Sequence, residues 1–380
     1  MSATSTSPSL DAIRSALATV NDPEIRKPIT ELEMVRAVDV DGAHVTVDVL
    51  LTVPGCPMKD QITREVTAAV KTVEGVDEVT VTLGVMSEEQ RTGLRQKLRG
   101  GPAQGRDIVF NRAGNTTRVY AIASGKGGVG KSSVTVNLAA ALAAQGLAVG
   151  VLDADVYGFS VPRMLGVTGQ PTKVDDMIMP PVSHDVKVIS IGMFVPGNQP
   201  VVWRGPMLHR ALEQFLADVY WGDLDVLLLD LPPGTGDVAI SMAQLLPTAE
   251  LLVVTTPQTA AAEVAERAGA IALQTKQQII GVVENMSWLE LPDGTRMELF
   301  GAGGGQAVAD SLTQAVGAKV PLLGQIPMDV ALRTGGDDGT PVVLSAPDTP
   351  AAQALRAVAE TLAARGRTLV GRTLGLTKIG

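Results

Sequence analysis

The segment GKGGVGKS at residues 125–132 is the part of the sequence best suited to chemistry. It fits the pattern G-x-x-x-x-G-K-[ST], follows the apolar run RVYAIAS and opens the helical pattern KSSVTVNLAAALAAQG. Glycines let a backbone wrap around phosphate, while its N–H groups and the helix N-terminus supply positive potential. We therefore predict a phosphate-binding loop in which Lys131 contacts the β- and γ-phosphates of a nucleotide and Ser132 binds Mg²⁺.

Two further segments place carboxylates directly after apolar runs. Asp230 ends the run in LLLDLPPGTGD, and Asp153 and Asp155 follow the run in VGVLDADVYGFS. Ligands of open α/β sheets bind at the carboxyl ends of parallel strands, so we expect these carboxylates to complete the site. Asp230 is suited to hold Mg²⁺ through water, and Asp153 or Asp155 to orient the attacking water or the metal. The loop that contains Gly234 could sense the γ-phosphate.

Lys126 is a second lysine within the loop, at a position where an ordinary phosphate loop does not need a cation. Its side chain is expected to leave the loop on the side away from the helix. In a face-to-face dimer it could reach the nucleotide of the other subunit and act as an arginine finger does, an effect of roughly 10³ to 10⁵ in rate. The alternative is a solvated surface lysine.

The sequence divides into four regions. Before residue 91, the order of helical and alternating patterns is α-β-β-α-β, with Asp41-Gly42 as a hairpin signal. After residue 116, seven short and nearly continuous apolar runs indicate a parallel sheet covered by helices. We predict a doubly wound, mostly parallel α/β domain preceded by a small α+β domain. The predicted boundaries are 8–90 for the small domain, 91–116 for a linker, 117–366 for the α/β domain and 367–380 for a C-terminal tail.

Composition narrows the possible classes of function. The chain is 45% hydrophobic but only 3% aromatic, so its core must be built from Ala, Val, Leu and Ile. A net charge of −9 argues against a nucleic-acid binder that works through bulk charge. The single cysteine excludes an intrachain disulfide, which fits a reducing compartment. No signal-peptide pattern or long apolar run is present, so we expect a cytoplasmic protein with no membrane and no nucleic acid among its partners.

At these motifs the sequence resembles known proteins. KGGVGKSS resembles the deviant phosphate loop of the superfamily that includes MinD, ParA and the nitrogenase iron protein. The combination of that loop with DADVYGFSVPRMLG, WRGPM, DLPPGTGD, ENMSW, FGAGGG and DDGTPVV resembles the Mrp/ApbC family. The N-terminal motifs DPEI, LEMV and TVPGCPMKD resemble the MIP-type domain that is often fused to it. The resemblance implies a homodimeric ATPase that carries iron–sulfur clusters to apoproteins or works with cluster-assembly proteins.

The same resemblance assigns roles to individual residues. Lys126 would act across a nucleotide-sandwich dimer, Asp155 would position the attacking water, and Asp230 would be linked to Mg²⁺. Asn285 and Pro327 match positions that commonly flank the nucleotide base. The residues that would contact ATP phosphates are Gly125, Lys126, Gly127, Gly128, Val129, Gly130, Lys131, Ser132 and Ser133.

The sequence departs from that family at the expected cluster ligands. Family members typically carry C-x-x-C between the ENMS and FGxGG segments, where this chain has WLELPDGTRMEL. An iron–sulfur cluster needs about four ligands, usually thiolates, and a dimer of this chain offers only its two Cys56 residues. Cys56 lies in a loop before a predicted helix, where a thiol can serve as ligand or nucleophile. The alternative is an inert and partly buried side chain.

Other functions remain open at this stage. A metal-free scaffold, timed by ATP and acting through its N-terminal domain, would need no cluster ligands. A MinD- or ParA-like dimeric switch would act on membrane or DNA, but the glycine-broken tail GRTLVGRTLGLTKIG makes a poor membrane helix and the chain is acidic. Phosphate transfer to a small molecule is possible for any phosphate loop, although Lys126 favours the dimeric ATPase.

Overall fold

The structure is a computed structural model of the chain. It describes residues 8–52, 58–99, 107–155, 158–194, 205–234, 236–258, 261–291 and 293–365. Two compact units are present. The first comprises Met1–Gly105, Gly169–Pro181 and Asp218–Gly222, and the second comprises Arg106–Thr168, Val182–Ala217 and Asp223–Gly380. Cys56 and the predicted tail at 367–380 lie outside the described residues.

The first unit is a small α+β structure. Its elements, numbered in chain order through the whole protein, are α1 (Leu10–Leu17), β1 (Val35–Asp41), β2 (His44–Leu51), α2 (Lys59–Val70), β3 (Glu78–Val85), α3 (Glu88–Arg99), β6 (Thr172–Val174) and β7 (Met177–Met179). Strands β1 and β2 pair antiparallel through a turn at Gly42, whose φ is 60°, and β3 pairs parallel to β2. The order α-β-β-α-β predicted from the sequence is therefore present.

Alternating burial along β2 shows how the first unit forms its core. Val45, Val47 and Val49 are fully buried, as expected for a strand with one covered face. Strands β6 and β7 form a separate two-stranded antiparallel sheet that contributes Val174 and Met177 to the same apolar cluster. This pair of strands comes from the sequence region predicted to belong wholly to the α/β domain.

Part of the predicted linker is helical. Helix α3 runs to Arg99, so residues 91–99 of the segment predicted as linker at 91–116 are regular structure. The helix forms because Leu94 and Leu98, four residues apart, pack on the apolar cluster of the first unit. Two apolar contacts in a highly charged segment give too weak a periodic signal for prediction from sequence. The predicted domain boundaries themselves stay a prediction.

The second unit contains the larger sheet. Its strands are β4 (Arg118–Ala123), β5 (Val149–Asp153), β8 (Val182–Ser183), β9 (Val186–Ser190), β10 (Val226–Asp230), β11 (Glu250–Thr255), β12 (Ile279–Glu290), β13 (Arg296–Met297) and β14 (Leu322–Met328). The strand order is β13-β12-β11-β4-β10-β5-β9-β8, and β14 pairs with β12. Only the β8–β9 and β12–β13 pairs are antiparallel among the described pairings of this sheet. The predicted doubly wound, mostly parallel fold class is confirmed.

Helices accompany the strands of this sheet. They are α4 (Lys131–Ala144), α5 (Val161–Met164), α6 (Gly205–Asp218), α7 (Asp237–Leu245), α8 (Ala261–Thr275), α9 (Gly304–Val316), α10 (Val330–Asp338), α11 (Val342–Ser345) and α12 (Pro350–Ala364). Helix α4 is buried along most of its length and belongs to the main apolar cluster together with α12. A helix that is apolar all round is a core helix, which fits a core made of Ala, Val and Leu.

Candidate nucleotide site

The predicted phosphate loop connects β4 to α4 and is shaped by its glycines. Gly128 and Gly130 have φ of 78° and 77°, values that favour glycine. A Cβ atom on Gly130 would also collide with the side-chain nitrogen of Asn285. That nitrogen donates a hydrogen bond of 2.9 Å to the carbonyl of Val129. The loop is therefore held by a side chain from the middle of β12 as well as by its own two ends.

Asp230 is the centre of a buried polar cluster at the start of α4. Its carboxylate is fully buried, and Lys131 Nζ lies 2.6 Å from Oδ2. Ser132 Oγ donates to the same oxygen over 2.6 Å, and Thr135 Oγ1 lies 2.6 Å from Oδ1. A buried charge is stable only when it is paired and hydrogen-bonded, and these three donors meet that need. The motif lysine, the motif serine and the predicted magnesium-linked aspartate are thus in one place.

Asp153 lies beside Asp230 because their strands are neighbours. The two residues are Cα partners in the parallel pairing of β5 with β10. Asp153 Oδ2 accepts a hydrogen bond of 3.0 Å from Ser190 Oγ, and Oδ1 accepts one of 3.1 Å from the Asp155 backbone N–H. Burial, and then the negative charge of Asp230, raise the pKa of Asp153 to about 8. Asp153 thereby holds the backbone of Asp155, which is itself buried at this edge of the sheet.

Lys126 reaches from the loop to another segment of the same unit. Its Nζ contacts Oε1 of Gln258, a residue of the segment that follows β11. The neighbouring Gly125 carbonyl accepts a hydrogen bond of 2.9 Å from Arg267 of α8. The Lys126 side chain is partly exposed.

Asn285 and Pro327 lie on adjacent strands, β12 and β14. Asn285 pairs with Ile326, and both Asn285 and Pro327 are buried. The side-chain oxygen of Asn285 is buried and has no hydrogen-bond partner within the described part of the chain. A buried acceptor without a donor is costly, and this oxygen has the capacity to accept a further hydrogen bond.

The glycines of FGAGGG are explained by close packing around Glu284. The Glu284 carboxylate is buried, accepts from the Gly305 N–H in the first turn of α9, and accepts a 2.8 Å bond from Gln325 Nε2. A Cβ on Gly304 would lie 2.5 Å from the carbonyl oxygen of Pro257, and one on Gly305 would lie 2.7 Å from the Glu284 Cβ. This motif therefore fits α9 against the strand ends.

The interval expected to carry C-x-x-C is an antiparallel hairpin. Strand β12 continues to Glu290 and pairs with β13, with Leu289 opposite Met297. The Arg296 guanidinium lies 4.2 Å from the centroid of the Trp288 ring, a cation–π arrangement. The hairpin offers no thiolate, since the chain has a single cysteine elsewhere. Within the residues that the structure describes, no group of three or more His, Cys, Asp or Glu side chains could hold a metal ion.

Several residues of this site were not predicted from the sequence. Thr135 could have been found, because it lies one helical turn after Lys131 and therefore on the same face of α4. The sequence gives no local signal for the others, because the tertiary fold brings them to the site from distant strands, helices and loops: Ser190, Gln258, Arg267 and Glu284.

Among the described helices, none is long and apolar enough to cross a membrane.

Comparison with known proteins places this site in context. Residues 115–363 match the family described as NUBPL iron-transfer P-loop NTPase, and residues 10–83 match the family described as iron-sulfur cluster assembly protein. The chain is 65% identical over 367 residues to a protein of Mycobacterium tuberculosis named iron-sulfur cluster carrier protein, with 96% of both chains covered. A Synechocystis protein of the same name is 40% identical over 364 residues, covering 93% of this chain and 97% of the relative.

Among solved structures, the chain is similar to a nucleotide-binding protein from Archaeoglobus fulgidus in complex with ADP. The sequence identity is 36% and the TM-score is 0.53. The match covers 62% of this chain and 91% of that protein.

Proposed function

The chain belongs to the NUBPL iron-transfer P-loop NTPase family, and from that membership we propose that it binds and hydrolyses ATP in order to carry iron–sulfur clusters to apoproteins. Membership confirms the family that the sequence motifs predicted. The proposal that the chain binds and hydrolyses ATP is supported best by the contacts of Lys131 and Ser132 with the buried Asp230 at the start of α4. The proposal that it carries iron–sulfur clusters is supported by the names of relatives that match over nearly their whole length.

The residues at the loop fit a magnesium nucleotide. Two left-handed glycines and the free N-terminus of α4 suit phosphate oxygens, and Ser132 with Asp230 supplies the oxygen donors that Mg²⁺ prefers. Residues 125–133 would hold the phosphates, Ser132 would bind Mg²⁺ directly, and Asp230 would bind it through water. The unpaired side-chain oxygen of Asn285 and the neighbouring Pro327 would flank the base.

Bound magnesium ATP would supply the phosphoanhydride bond and the metal charge, and the protein residues would direct its hydrolysis. Asp155 would orient water, and its backbone is fixed for that task by the hydrogen bond to Asp153. Lys131 would neutralise negative charge within its own subunit. Lys126 would do so across a homodimer, where its positive charge stabilises the site of the other subunit.

The iron–sulfur cluster would be cargo held by few protein ligands. Each chain provides one thiol, Cys56, so a dimer provides two of the about four ligands that a cluster requires. The remaining ligands would come from a small thiol or from the recipient apoprotein. A cluster held in this way is labile, which suits a carrier that must release it.

One observation favours a second candidate, a metal-free scaffold timed by ATP. The β12–β13 hairpin occupies the interval in which Mrp/ApbC proteins typically carry C-x-x-C, and it contains no cysteine. Such a scaffold would use the same nucleotide site and deliver a partner through the N-terminal unit without binding iron.

Anaerobic reconstitution of the full chain with iron and sulfide separates the two candidates. We expect substoichiometric cluster uptake by the wild type, read from thiolate-to-iron absorption, and no uptake by Cys56→Ser, because Cys56 is the only thiol. ATP hydrolysis should survive Cys56→Ser. It should be lost in Lys131→Ala, which removes a charge-assisted phosphate contact. Lys319→Ala, a change at an exposed lysine of the second unit, is the matched control.

The outcomes are distinct. A stable, fully occupied cluster in Cys56→Ser would show that other ligands suffice and that the Cys56 assignment is wrong. No cluster in either protein, with hydrolysis intact, would favour the metal-free scaffold. Normal turnover in a folded Lys131→Ala protein would overturn the nucleotide site itself.

A further inference from the structure

Asp230 receives its three hydrogen-bond donors in an uneven arrangement. Among the described residues, Lys131 and Ser132 both contact Oδ2, whereas Thr135 contacts Oδ1. All three donors come from the first five residues of α4. The two carboxylate oxygens are therefore held by different groups, and a change at one oxygen does not by itself release the other.

Two of these donors have other tasks under the proposed function, on which this inference rests. Lys131 would turn to phosphate and Ser132 to Mg²⁺, and both would then leave Oδ2. Thr135 has no such task, because it lies one helical turn further along α4 and is fully buried. We propose that Thr135 is a positioning residue for the magnesium site, whose hydroxyl holds Oδ1 so that Oδ2 stays directed toward the metal when Lys131 and Ser132 move to the nucleotide.

The geometry at Thr135 supports this role. Its Oγ1 lies 2.6 Å from Asp230 Oδ1 and 3.0 Å from the Lys131 carbonyl oxygen, but a hydroxyl carries only one proton. The carboxylate is the closer acceptor and the charged one, so it takes the stronger hydrogen bond. Threonine is also restricted at χ1 within a helix, so the hydroxyl is held ready at little entropic cost.

Thr135 could instead be a core residue whose methyl group fills space, and substitutions separate the two roles. Thr135→Val keeps the shape and removes the hydroxyl, whereas Thr135→Ser keeps the hydroxyl and removes the methyl group. Thr361→Val is a matched control, because Thr361 also bonds the carbonyl four residues earlier in its helix, over 2.9 Å, but is exposed. Thermal unfolding checks that each variant is folded.

The readout is the magnesium dependence of binding, measured with a fluorescent ADP and without turnover. In EDTA, Thr135→Val should bind ADP within about twofold of the wild type, because the phosphate loop is intact. The Mg²⁺ concentration for half-maximal enhancement of binding should rise about tenfold, the effect expected for one hydrogen bond to a charged group. For ATP hydrolysis by Thr135→Val, kcat should fall by a larger factor than the factor by which KM changes. Thr135→Ser and Thr361→Val should resemble the wild type.

Two results would overturn the proposal. One is wild-type magnesium dependence in folded Thr135→Val, and the other is equal impairment in Thr135→Ser, which would assign the effect to the methyl group. If Thr135→Val does not fold, Thr135→Ala compared with Thr135→Ser gives the same contrast. Failure of the proposed function looks different, because the wild type itself would then show no magnesium-dependent nucleotide binding and Lys131→Ala would be indistinguishable from it.

Discussion

The Lys126 ammonium group contacts a neutral side chain, the amide oxygen of Gln258 in its own chain. A hydrogen bond to an amide orients the lysine but does not neutralise it. Lys131, by contrast, is paired with a buried carboxylate 2.6 Å away. The two lysines of the loop are thus in different electrostatic situations. The charge of Lys131 is paired with Asp230 of its own chain, whereas the contact of Lys126 with Gln258 leaves its positive charge uncompensated.

Mixed dimers test whether Lys126 acts across the subunit boundary. We expect Lys126→Ala to impair hydrolysis more than nucleotide binding, because the lysine would act on charge that develops during the reaction. In a dimer of Lys126→Ala with Asp155→Asn, a trans lysine and a cis aspartate leave one site with both lesions and one site intact. Dimers isolated with two different tags should therefore recover about half of the wild-type phosphate release.

Dimers that combine Lys319→Ala with Asp155→Asn are the control for this experiment, since Lys319 is exposed and plays no part in the site. In these dimers the site with the unmodified Asp155 should hydrolyse ATP normally, and the site with Asp155→Asn should not. Activity in the Lys126→Ala mixture that stays at the level of two impaired parent homodimers would show that Lys126 works within its own subunit, and wild-type hydrolysis by the Lys126→Ala homodimer would show that the lysine is idle.

Motif residues and their partners differ in how far they could be predicted. Lys131, Ser132 and Asp230 were predictable, because residue spacing fixes the loop and a strand end fixes the aspartate. Arg267 was not, because its contact with the Gly125 carbonyl depends on how α8 packs. Asp153 was predicted only as an alternative to Asp155. In the structure, Asp153 accepts a hydrogen bond from the backbone N–H of Asp155.

At the level of secondary structure, strand ends and helix starts assemble the site. Continuous apolar runs predicted β4, β5, β10 and β11, since strands buried on both faces leave a clear signal. The β12–β13 hairpin was not predicted, because LELPDGTRM lacks regular alternation over a sufficient length. Its Gly294 has a φ of 81° and follows Asp293, a pair that in retrospect is the hairpin signal.

Helix α9 depends on a carboxylate from a strand. Glu284 accepts from the Gly305 N–H at the N-terminus of that helix, where backbone N–H groups lack partners within the helix. Because the carboxylate is negative and close to the positive end of the helix, its charge is also favourable there. The residue therefore links β12 to α9, and through Gln325 it links both to β14.

We expect Glu284→Ala to destabilise the second unit by about 2 kcal/mol, because it leaves the buried Gly305 N–H without an acceptor and removes the hydrogen bond from Gln325. Hydrogen exchange at the Gly305 amide should accelerate more than exchange at the centre of α9. Glu284→Gln keeps one acceptor oxygen, so its stability should lie between that of the wild type and that of Glu284→Ala. Glu290→Ala on the same strand, at an exposed position, is the control. Equal effects of the changes at 284 and 290 would contradict the capping role.

At the level of the whole molecule, the first unit is completed by distant parts of the chain. Its apolar cluster includes Val174, Met177, Met179 and Tyr220, which come from two segments between elements of the large sheet. The sequence contains no sign of this arrangement. The runs TKV and MIM are too short for a periodic signal, and only the tertiary fold determines which core they enter.

Glu24 lies within this first unit and connects its stability to pH. Burial, and then the negative charge of Asp22, raise the pKa of Glu24 to about 7, although a hydrogen bond from Thr172 acts in the opposite direction. An unperturbed glutamate has a pKa of 4.5. Between these two values the folded state binds a proton that the unfolded state does not bind. The contribution of Glu24 to stability is therefore fullest below about pH 4.5, is lost as pH rises through about 7, and is constant above that.

Glu24→Gln should remove this dependence, because an amide of the same size cannot ionise. We expect the variant to be more stable than the wild type at about pH 8, on the order of 1 kcal/mol after allowance for solvent screening, and to lose that advantage at about pH 5. Hydrogen exchange along β2 reports the first unit separately, which matters because a chain of two units need not unfold in one step. Glu31→Gln, an exposed change in the same unit, should leave the wild-type pH profile unaltered. A Glu24→Gln protein whose β2 amides follow the same pH profile as the wild type would show that this carboxyl group does not couple protonation to folding.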